Sequence, residues 1–451
     1  MPNTFIYLII MLVFILVWFI LIKRPIYEAL LLCFILIVAI TNKWANIFLY
    51  LDEAMSTSLL YSMIVFVAMS QILSHTKIID SCVYLILSLF GRISGGAGYA
   101  SIIASSFMGA LSGSGPGNVM ATGVITIPAM KKSGFPAHLA ANVESTSSYL
   151  GNMIPPSSNI VAAFGAYMAV YPTSTLTSGQ FWVVLWGISL WFVLSRILTL
   201  FAFCKYYKLK PMAKEEVPTL KEAFIKGWKG LLLPIIILFP FIFDATFESF
   251  IIYRLGTVGA SYFSKSLLLF VAGIASIYAV LICEDRKQVT PKQLILLFAK
   301  KAKSLVAPIA ACLFGYAIGE VFADLNLSQE LGEFFSNLGL NKVGLAFVIP
   351  LLTTFLGMVI PGSSQVVIFG PAFITIFASC GVNPVLIAAM LPCICGVMCG
   401  ITPPLALGMY AGMSIAESDF KKTVINDLWW VLVQYLLEVI VLLGFLPIIG
   451  L

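Results

Sequence analysis

The chain has 451 residues, of which 60% are hydrophobic and only 10% charged, with a mean hydropathy of +1.02 and a net charge of +6. A soluble domain carries about 25% charged residues, so the composition excludes a soluble globular enzyme and indicates a polytopic membrane protein. The positive balance is no nucleic-acid signal, because Lys and Arg sit between apolar runs, where the cytoplasmic bias of basic residues puts them.

A spanning helix needs roughly 20 apolar residues. Phe5–Ile22, Ile26–Ile40 and Ser56–Leu73 are expected spans, followed by a shorter interfacial segment at Cys82–Phe90. The first run has no upstream basic residue and no small-residue cleavage site, so it reads as a membrane helix rather than a signal peptide. Gly98–Leu111 and Val119–Met130 are each short for a span and are joined by Ser112-Gly113-Ser114-Gly115-Pro116-Gly117-Asn118, which describes a re-entrant helical hairpin. Pro136–Tyr171 follows as a long segment broken at Pro155-Pro156.

Phe181–Phe203 is the next span, and a basic loop runs from Lys205 to Lys229. Leu231–Phe243 and Lys265–Cys283 span, with a second basic loop from Arg286 to Lys303, and Leu305–Ala323 spans again. Leu331–Leu338 is amphipathic and is expected at an interface. Val343–Leu356 and Val366–Phe377 make a second hairpin with Ile360-Pro361-Gly362-Ser363-Ser364-Gln365 as its tip. Pro384–Met409 is a second broken helix, and Trp430–Ile449 closes the chain.

The two hairpin regions are copies of one unit. Phe107-Met108-Gly109 matches Phe355-Leu356-Gly357, Pro136 matches Pro384, Ala140-Ala141 matches Ala388-Ala389, and Pro155-Pro156 matches Pro403-Pro404, always 248 positions apart (384 minus 136, 403 minus 155). Placing the basic loops in the cytoplasm puts Lys131-Lys132, Lys23-Arg24 and Lys421-Lys422 there too, so the first hairpin enters from inside and the second from outside. The expected fold is an all-α polytopic membrane protein with inverted repeats, each a re-entrant hairpin plus a broken transmembrane helix. Scaffold helices at 1–93, a first transport repeat at 94–172, scaffold and basic loops at 173–342, a second repeat at 343–418 and a terminal helix at 419–451 complete the division.

Gly and Pro interrupt helices, and unpaired peptide groups are costly in hydrocarbon. Broken backbone at that depth therefore packs in protein or lines a polar cavity, and matching interruptions in two halves point to a transporter's binding site. Free carbonyls with Ser, Asn or Gln beside them suit a hard cation such as Na⁺, and half-helix N-termini suit an anion. The cation candidates are Ser112, Ser114 and Asn118 with the break at Pro155 and Ser157, mirrored by Gly362, Ser363 and Ser364 with the break at Thr402. A substrate between the tips would meet Gly115, Gly117, Asn118, Ser158, Asn159, Ser364, Gln365 and Pro403.

Glu144 lies inside the first broken helix, and a carboxyl there is a candidate for proton or cation coupling, or for a structural role among its neighbouring serines. Glu320 and Glu438 are weaker candidates. The nine cysteines read as small packing residues, since neither of the two His, His75 and His138, lies near the cluster Cys393, Cys395 and Cys399. There is no G-x-x-x-x-G-K-[ST] stretch for ATP and no sequence sign of a nucleophile–base pair, so no enzyme activity and no cofactor are expected.

The stretch GALSGSGPGNVMATGVITIPAMKKSGFPAHLAANVESTSSYLGNMIPPSS resembles the large membrane subunit of tripartite ATP-independent periplasmic (TRAP) transporters, the DctM-like permeases, and VIPGSSQVVIFGPAFITIFASCGVNPVLIAAM with CGITPPLALGMYAG resembles its second half. The resemblance runs from about Ser94 to the end and rests on the G-x-x-S-G-S tip, the I-P-x-M-K-K turn and both Pro-Pro breaks in order. It implies a Na⁺-driven, elevator-type importer of organic acids such as dicarboxylates, sialic acid and other sugar acids, in the inner (cytoplasmic) membrane. It also implies a small four-helix membrane subunit and an extracytoplasmic substrate-binding protein as partners, with cation sites at the two tips and adjoining breaks.

Glu144 stands where the TAXI branch of that family also carries a carboxylate, which leaves H⁺ coupling open. Two departures stand out: Gly115-Pro116-Gly117-Asn118 replaces the family's usual small-residue run, and no small-subunit helices are fused at the N-terminus, which implies a separate partner chain. The alternatives are a stand-alone cation-coupled organic-anion carrier without a binding protein, a membrane enzyme acting on lipid-linked substrates, and a channel. The enzyme lacks an acid–base pair or metal cluster, and inverted hairpins favour alternating access over a pore.

Overall fold

The computed structural model describes residues 3–451 except positions 19–21, 23, 25, 57, 77, 113–114, 214–216, 218, 284, 286, 288, 327–329, 331–340, 359–361 and 404–405, together with some side chains inside helices. Among the described residues the chain is helical, without β-strands. α1 (Asn3–Val17) and α2 (Ile26–Ile40) lead into α3 (Ile47–Ser56) and α4 (Ser58–His75), then α5 (Ile78–Phe90). The first hairpin is α6 (Gly96–Ser112) and α7 (Gly115–Lys132), and the first broken helix is α8 (Ala137–Leu150) and α9 (Ser158–Val170). Next come α10 (Ser178–Tyr207), α11 (Leu220–Thr246), α12 (Glu248–Ile282) and α13 (Pro291–Asp324). The second hairpin is α14 (Lys342–Gly357) and α15 (Gly362–Ser379), the second broken helix begins with α16 (Pro384–Leu391) and ends with α17 (Leu407–Ala416), and α18 (Phe420–Leu443) follows.

Among the described residues four helical stretches are long and apolar enough to cross a bilayer, Ser178–Tyr207, Gly227–Asp244, Gly362–Ser379 and Phe420–Leu443, and α3 with α4 makes a fifth candidate bent by 54°. Gly96–Leu111, Lys342–Gly357, Pro384–Gly400 and Leu407–Ala416 are apolar but shorter, as arms of hairpins and broken helices must be.

Several boundaries differ from the sequence reading, each for a local reason. The basic stretch Lys205–Lys229 is not all loop, because Thr219 caps α11 by accepting the Glu222 backbone N–H, and the helix then carries Lys221 and Lys229. Likewise Arg286–Lys303 is mostly the start of α13, where Thr290 accepts from the Gln293 N–H and Pro291 fills the first turn, whose N–H groups have no helical partner. Lys265–Cys283 is the second arm of a longer helix that bends at Gly256 (φ 72°). The terminal helix begins at Phe420, ten residues before the expected Trp430, because Asp419 accepts from the Lys422 N–H. It ends at Leu443, where Gly444 takes a left-handed φ of 80°. Leu331–Leu338 lies outside the described residues.

The repeats interlock. α9, which follows the first break, packs on α15 of the second hairpin, while α17, which follows the second break, packs on α7 and α8 of the first. α10 runs along this body against α18, α16 and α6, and α13 closes over α15, α2, α3 and α4. α8 is buried along Leu139–Leu150 although it carries Asn142, Glu144, Ser145, Thr146, Ser147 and Ser148. Thr146 returns its hydroxyl to the Asn142 carbonyl at 2.7 Å and Ser147 to the Val143 carbonyl at 2.6 Å, so these hydroxyls are satisfied within their own helix.

Candidate functional site

Both tips are shorter than the sequence suggests. α6 continues through Ser112 and α7 starts at Gly115, so Gly115-Pro116-Gly117-Asn118 form the first turn of a helix rather than unwound backbone. In the second hairpin Gly362-Ser363-Ser364-Gln365 are likewise the first turn of α15. The reason is the amide inventory: the first turn of a helix needs no N–H partners of its own, so Pro116 and the glycines fit there without cost. The chemistry shifts accordingly. A helix start offers N–H groups and the positive end of the helix dipole, which attract an anion such as a carboxylate.

The breaks do unwind. Leu150 passes into a tight turn over Gly151–Met153, and a cis Pro155-Pro156 bond leads to Ser157, which caps α9 by accepting the Asn159 N–H at 3.3 Å. Ser157 is therefore already engaged as a cap, while Ser158 and Asn159 lie buried in the first turn of α9. In the second break, α16 gives way to a π-helical turn at Pro392–Val397 and a tight turn at Met398–Gly400 before α17. Thr402 returns its hydroxyl to the Met398 carbonyl at 2.7 Å. The side chain of Ser112, and Ser114 and Pro404 entirely, fall outside the described residues.

Each tip packs on its own repeat's broken helix, and the two breaks meet each other. Tyr149, at the end of α8, fills a cradle made by Gly115 of the first tip, Gly400 of the second break and Gly408 in the first turn of α17, where any Cβ would collide with its ring. A Cβ on Gly362 of the second tip would lie 2.6 Å from the Cys395 carbonyl oxygen. The Gly362 N–H donates to Cys399 Sγ at 3.2 Å. Asn152 Nδ2 of the first break donates to the Gly396 carbonyl at 3.3 Å, and Asn159 sits against the same glycine. The structure thus brings Gly115, Asn159, Gly362 and both breaks into one connected region. Gly117 and Pro403 are not buried in it, and Ser364 and Gln365 are.

Below the first tip lies a hydroxyl shell that sequence reasoning did not find. The buried Glu144 carboxyl accepts from Ser101 and Ser105 of α6 at 2.7 Å each, from Thr122 and Thr126 of α7, and from Ser148 of its own helix at 3.1 Å. Two carboxylate oxygens offer about four lone-pair sites, so five hydroxyls saturate them. The available signal was hydroxyls four residues apart, Ser101 with Ser105 and Thr122 with Thr126, which share helix faces. Asn118 adjoins the shell: its Nδ2 donates to the Ser105 carbonyl and to Ser148 Oγ, both at 2.8 Å, while its Oδ1 is enclosed with no hydrogen-bond partner. Among the described residues no group of three or more His, Cys, Asp or Glu could hold a metal ion.

A family model described as "Tripartite ATP-independent periplasmic transporter, DctM component" matches residues 9–449. The chain belongs to that family. It is therefore a multi-pass membrane transport protein, a TRAP transporter large permease, and not an enzyme. It is 25% identical over 365 residues to the C4-dicarboxylate TRAP transporter large permease protein DctM of Pseudomonas aeruginosa, covering 80% of this chain and 78% of the relative. It is 24% identical over 361 residues to the sialic acid TRAP transporter large permease protein SiaM of Vibrio cholerae, covering 79% and 77%. In fold this permease is similar to the Alcanivorax borkumensis YdaH transporter (TM-score 0.62, 18% identity, 90% of this chain and 89% of that one). It is also similar to Neisseria gonorrhoeae MtrF (TM-score 0.63, 14% identity, 90% and 84%).

Proposed function

We propose that this permease is the transport subunit of a secondary importer that couples Na⁺ entry to the uptake of a small organic acid across the inner membrane. Relatives named for C4-dicarboxylates, sialic acid and 2,3-diketo-L-gulonate support a carboxylate as cargo. No basic residue stands at either tip, so the helix starts at Gly115 and Gly362 and the bound cation neutralise the acid. An extracytoplasmic substrate-binding protein delivers the acid, and a small four-helix membrane subunit completes the assembly. The interlocked repeats move as one body against the remaining helices, as an elevator.

The observation that carries the cation reading is Asn118 Oδ1, enclosed and unpartnered beside the Glu144 hydroxyl shell. A buried acceptor with no donor calls for a ligand, and a hard cation prefers oxygen. A second reading is H⁺ coupling through Glu144, a carboxyl buried inside the first broken helix with no basic group among its five hydrogen-bond partners.

Uptake of radiolabelled C4-dicarboxylates and sugar acids into proteoliposomes, with the binding protein supplied, tests this. Asn118→Ala and Ser363→Ala should each raise the Na⁺ concentration for half-maximal uptake about tenfold, the equivalent of 1.4 kcal/mol. Unchanged Na⁺ dependence in both overturns the assignment. Loss of H⁺ dependence in Glu144→Gln alone would select the second reading.

A further inference from the structure

Away from the tips, α10, α18 and the π-helical turn enclose a second set of ionisable groups. Arg196 of α10 is fully buried, with Nη2 donating to Gln434 Oε1 at 2.8 Å and Nη1 to the Trp430 carbonyl at 3.3 Å. Gln434 Nε2 donates in turn to Glu438 Oε1 at 2.9 Å, and the Cys393 thiol donates to the same oxygen at 3.3 Å. Glu438 Oε2, Asp427 Oδ1 and Arg196 Nε are enclosed with no hydrogen-bond partner. Arg196 interacts electrostatically with Asp427 and Glu438.

The charge count does not close on its own. One guanidinium faces two carboxyls, so with both ionised the enclosed set carries one net negative charge, and a buried uncompensated charge is costly. One proton on a carboxyl neutralises the set. Of the two, Glu438 is the one hydrogen-bonded to Cys393, and Cys393 belongs to the π-helical turn of the second break. Three residues further, the Gly396 carbonyl receives Asn152 of the first break, and Cys399 receives the Gly362 N–H of the second tip. A π-turn is a local departure from the regular helical ladder, and such turns recur at functional sites.

We propose that Glu438 is a proton-binding site whose occupancy is passed to the transport site through Cys393 and the π-helical turn. The groups facing Glu438 are Arg196 from α10, Cys393 and Cys395 from the turn, and Gln434 and Tyr435 from α18 itself, while Asp427, about three turns earlier on α18, faces Arg196. The other helices packed on α18 add little charge. α14 meets it where the Tyr435 hydroxyl donates to the Phe347 carbonyl, and Lys342 lies at the far end of α14 beside Gly444. α8 meets it through Asn142, which donates to Asn426 and to the Thr423 carbonyl, and Glu144 of α8 is held in the hydroxyl shell of α6 and α7. α16 contributes no titratable side chain. When the proton leaves, the carboxylate draws the Cys393 and Gln434 donors toward itself and the turn that carries Gly396 moves with them.

The proposal does not depend on the cargo, and its first test needs no transport. Infrared titration of the purified full-length chain in lipid nanodiscs should show a protonated-carboxyl band that disappears as pH rises and is missing from Glu438→Gln. If Glu438→Gln is not recovered folded, Glu438→Asp should shift the band and the midpoint of its titration. The second test follows the melting temperature during NaCl titration, with choline chloride as control. The apparent Na⁺ affinity of the wild type should change severalfold with pH, while Glu438→Gln and Cys393→Ala hold it constant and Cys393→Ala keeps the band. An identical band in wild type and Glu438→Gln, or an unshifted one in Glu438→Asp, overturns the proton site. A band that behaves as expected with a Na⁺ affinity equally pH-dependent in all three proteins overturns the link through Cys393. Absence of any stabilisation by Na⁺ overturns the cation reading and, with it, the link, and leaves the infrared result to decide the proton site.

Discussion

Gly151 of the first break lies directly against Gly109 of the first hairpin: a Cβ on Gly151 would sit 2.5 Å from the Ala110 backbone nitrogen. The same crossing recurs 248 positions later, where a Cβ on Gly357 would sit 3.1 Å from the Cys399 Cα. The two copies therefore share a packing point as well as a sequence pattern. Each hairpin arm crosses its own break at backbone contact, which holds tip and break in fixed relation.

Gly151→Ala should accordingly be costly, since only backbone atoms stand in the way of the new methyl and they cannot rotate aside. Overpacking of this kind costs about 1–3 kcal/mol, read as a lowered melting temperature. Gly273→Ala in α12 is the control: nothing lies within 4 Å of its Cβ. It should be neutral or stabilising by about 0.5–1 kcal/mol from helix propensity.

The Tyr149 cradle predicts a signed coupling. Tyr149→Ala empties a buried ring site and should cost about 3–5 kcal/mol. Gly400→Ala forces the ring out and should cost a comparable amount. In the double variant the methyl no longer meets a ring, so the combined loss should be at least about 1 kcal/mol smaller than the sum of the single losses. Simple additivity in a thermal double-mutant cycle would show that the two do not touch.

The Glu144 shell predicts a graded series. Thr122→Val removes one of five donors and should cost about 1 kcal/mol, because the remaining hydroxyls still cover the carboxyl. Glu144→Ala leaves five buried hydroxyls to find other partners and should cost several times as much. Melting temperatures in detergent read both, and equal losses would argue against a shared shell.

Between α2 and α3, Lys43 pairs with Asp324 at the end of α13 at 2.9 Å, and the Tyr50 hydroxyl donates to the same carboxyl. Hydrogen bonds from Tyr50 and Lys43 hold the Asp324 carboxyl below its ordinary range, and the Asp324 bond holds Lys43 above its own. The sign follows. The Asp324 contribution is present above the unfolded carboxylate's pKa, about 3.9, and is lost as pH falls through the lower folded value. The Lys43 contribution is complete below about 10.4 and is lost above its raised folded value. Stability from this pair should be flat through neutrality, weaken in acid and be screened by salt. Asp324→Asn should remove the acid-side loss in pH-dependent melting.

How far the sequence reaches depends on the range of the interaction that decides each feature. Gly-Ser-Gly-Pro-Gly at the first tip and the two Pro-Pro breaks are local signals, because Gly and Pro act on their own backbone; both hairpins and the first break stand where the pattern places them, while the second broken helix already leaves regular α geometry at Pro392. The helical starts of α11 and α13 were also local, written in Thr219-x-x-Glu222 and Thr290-Pro291, but the lysines around them suggested loop. The packing of α9 on α15 and of α17 on α7 is a long-range outcome that no local spacing encodes. The same holds for Asn152 reaching Gly396, 244 residues away, and for Arg196 reaching Gln434, 238 away. The Cys393–Cys399 stretch reads as plain helix in sequence, and its π-helical turn belongs to the packing around Glu438 and Gly362.

The most direct test of the whole account is uptake into proteoliposomes carrying the complete transporter, with the binding protein outside and a panel of radiolabelled C4-dicarboxylates and sugar acids. Na⁺ and pH gradients are imposed separately. Accumulation should be driven by an inward Na⁺ gradient, collapse when that gradient is dissipated, and be lost in the Asn118→Ala, Ser363→Ala double variant. Accumulation that needs no Na⁺ gradient, or that survives in the double variant with its Na⁺ dependence intact, would contradict this.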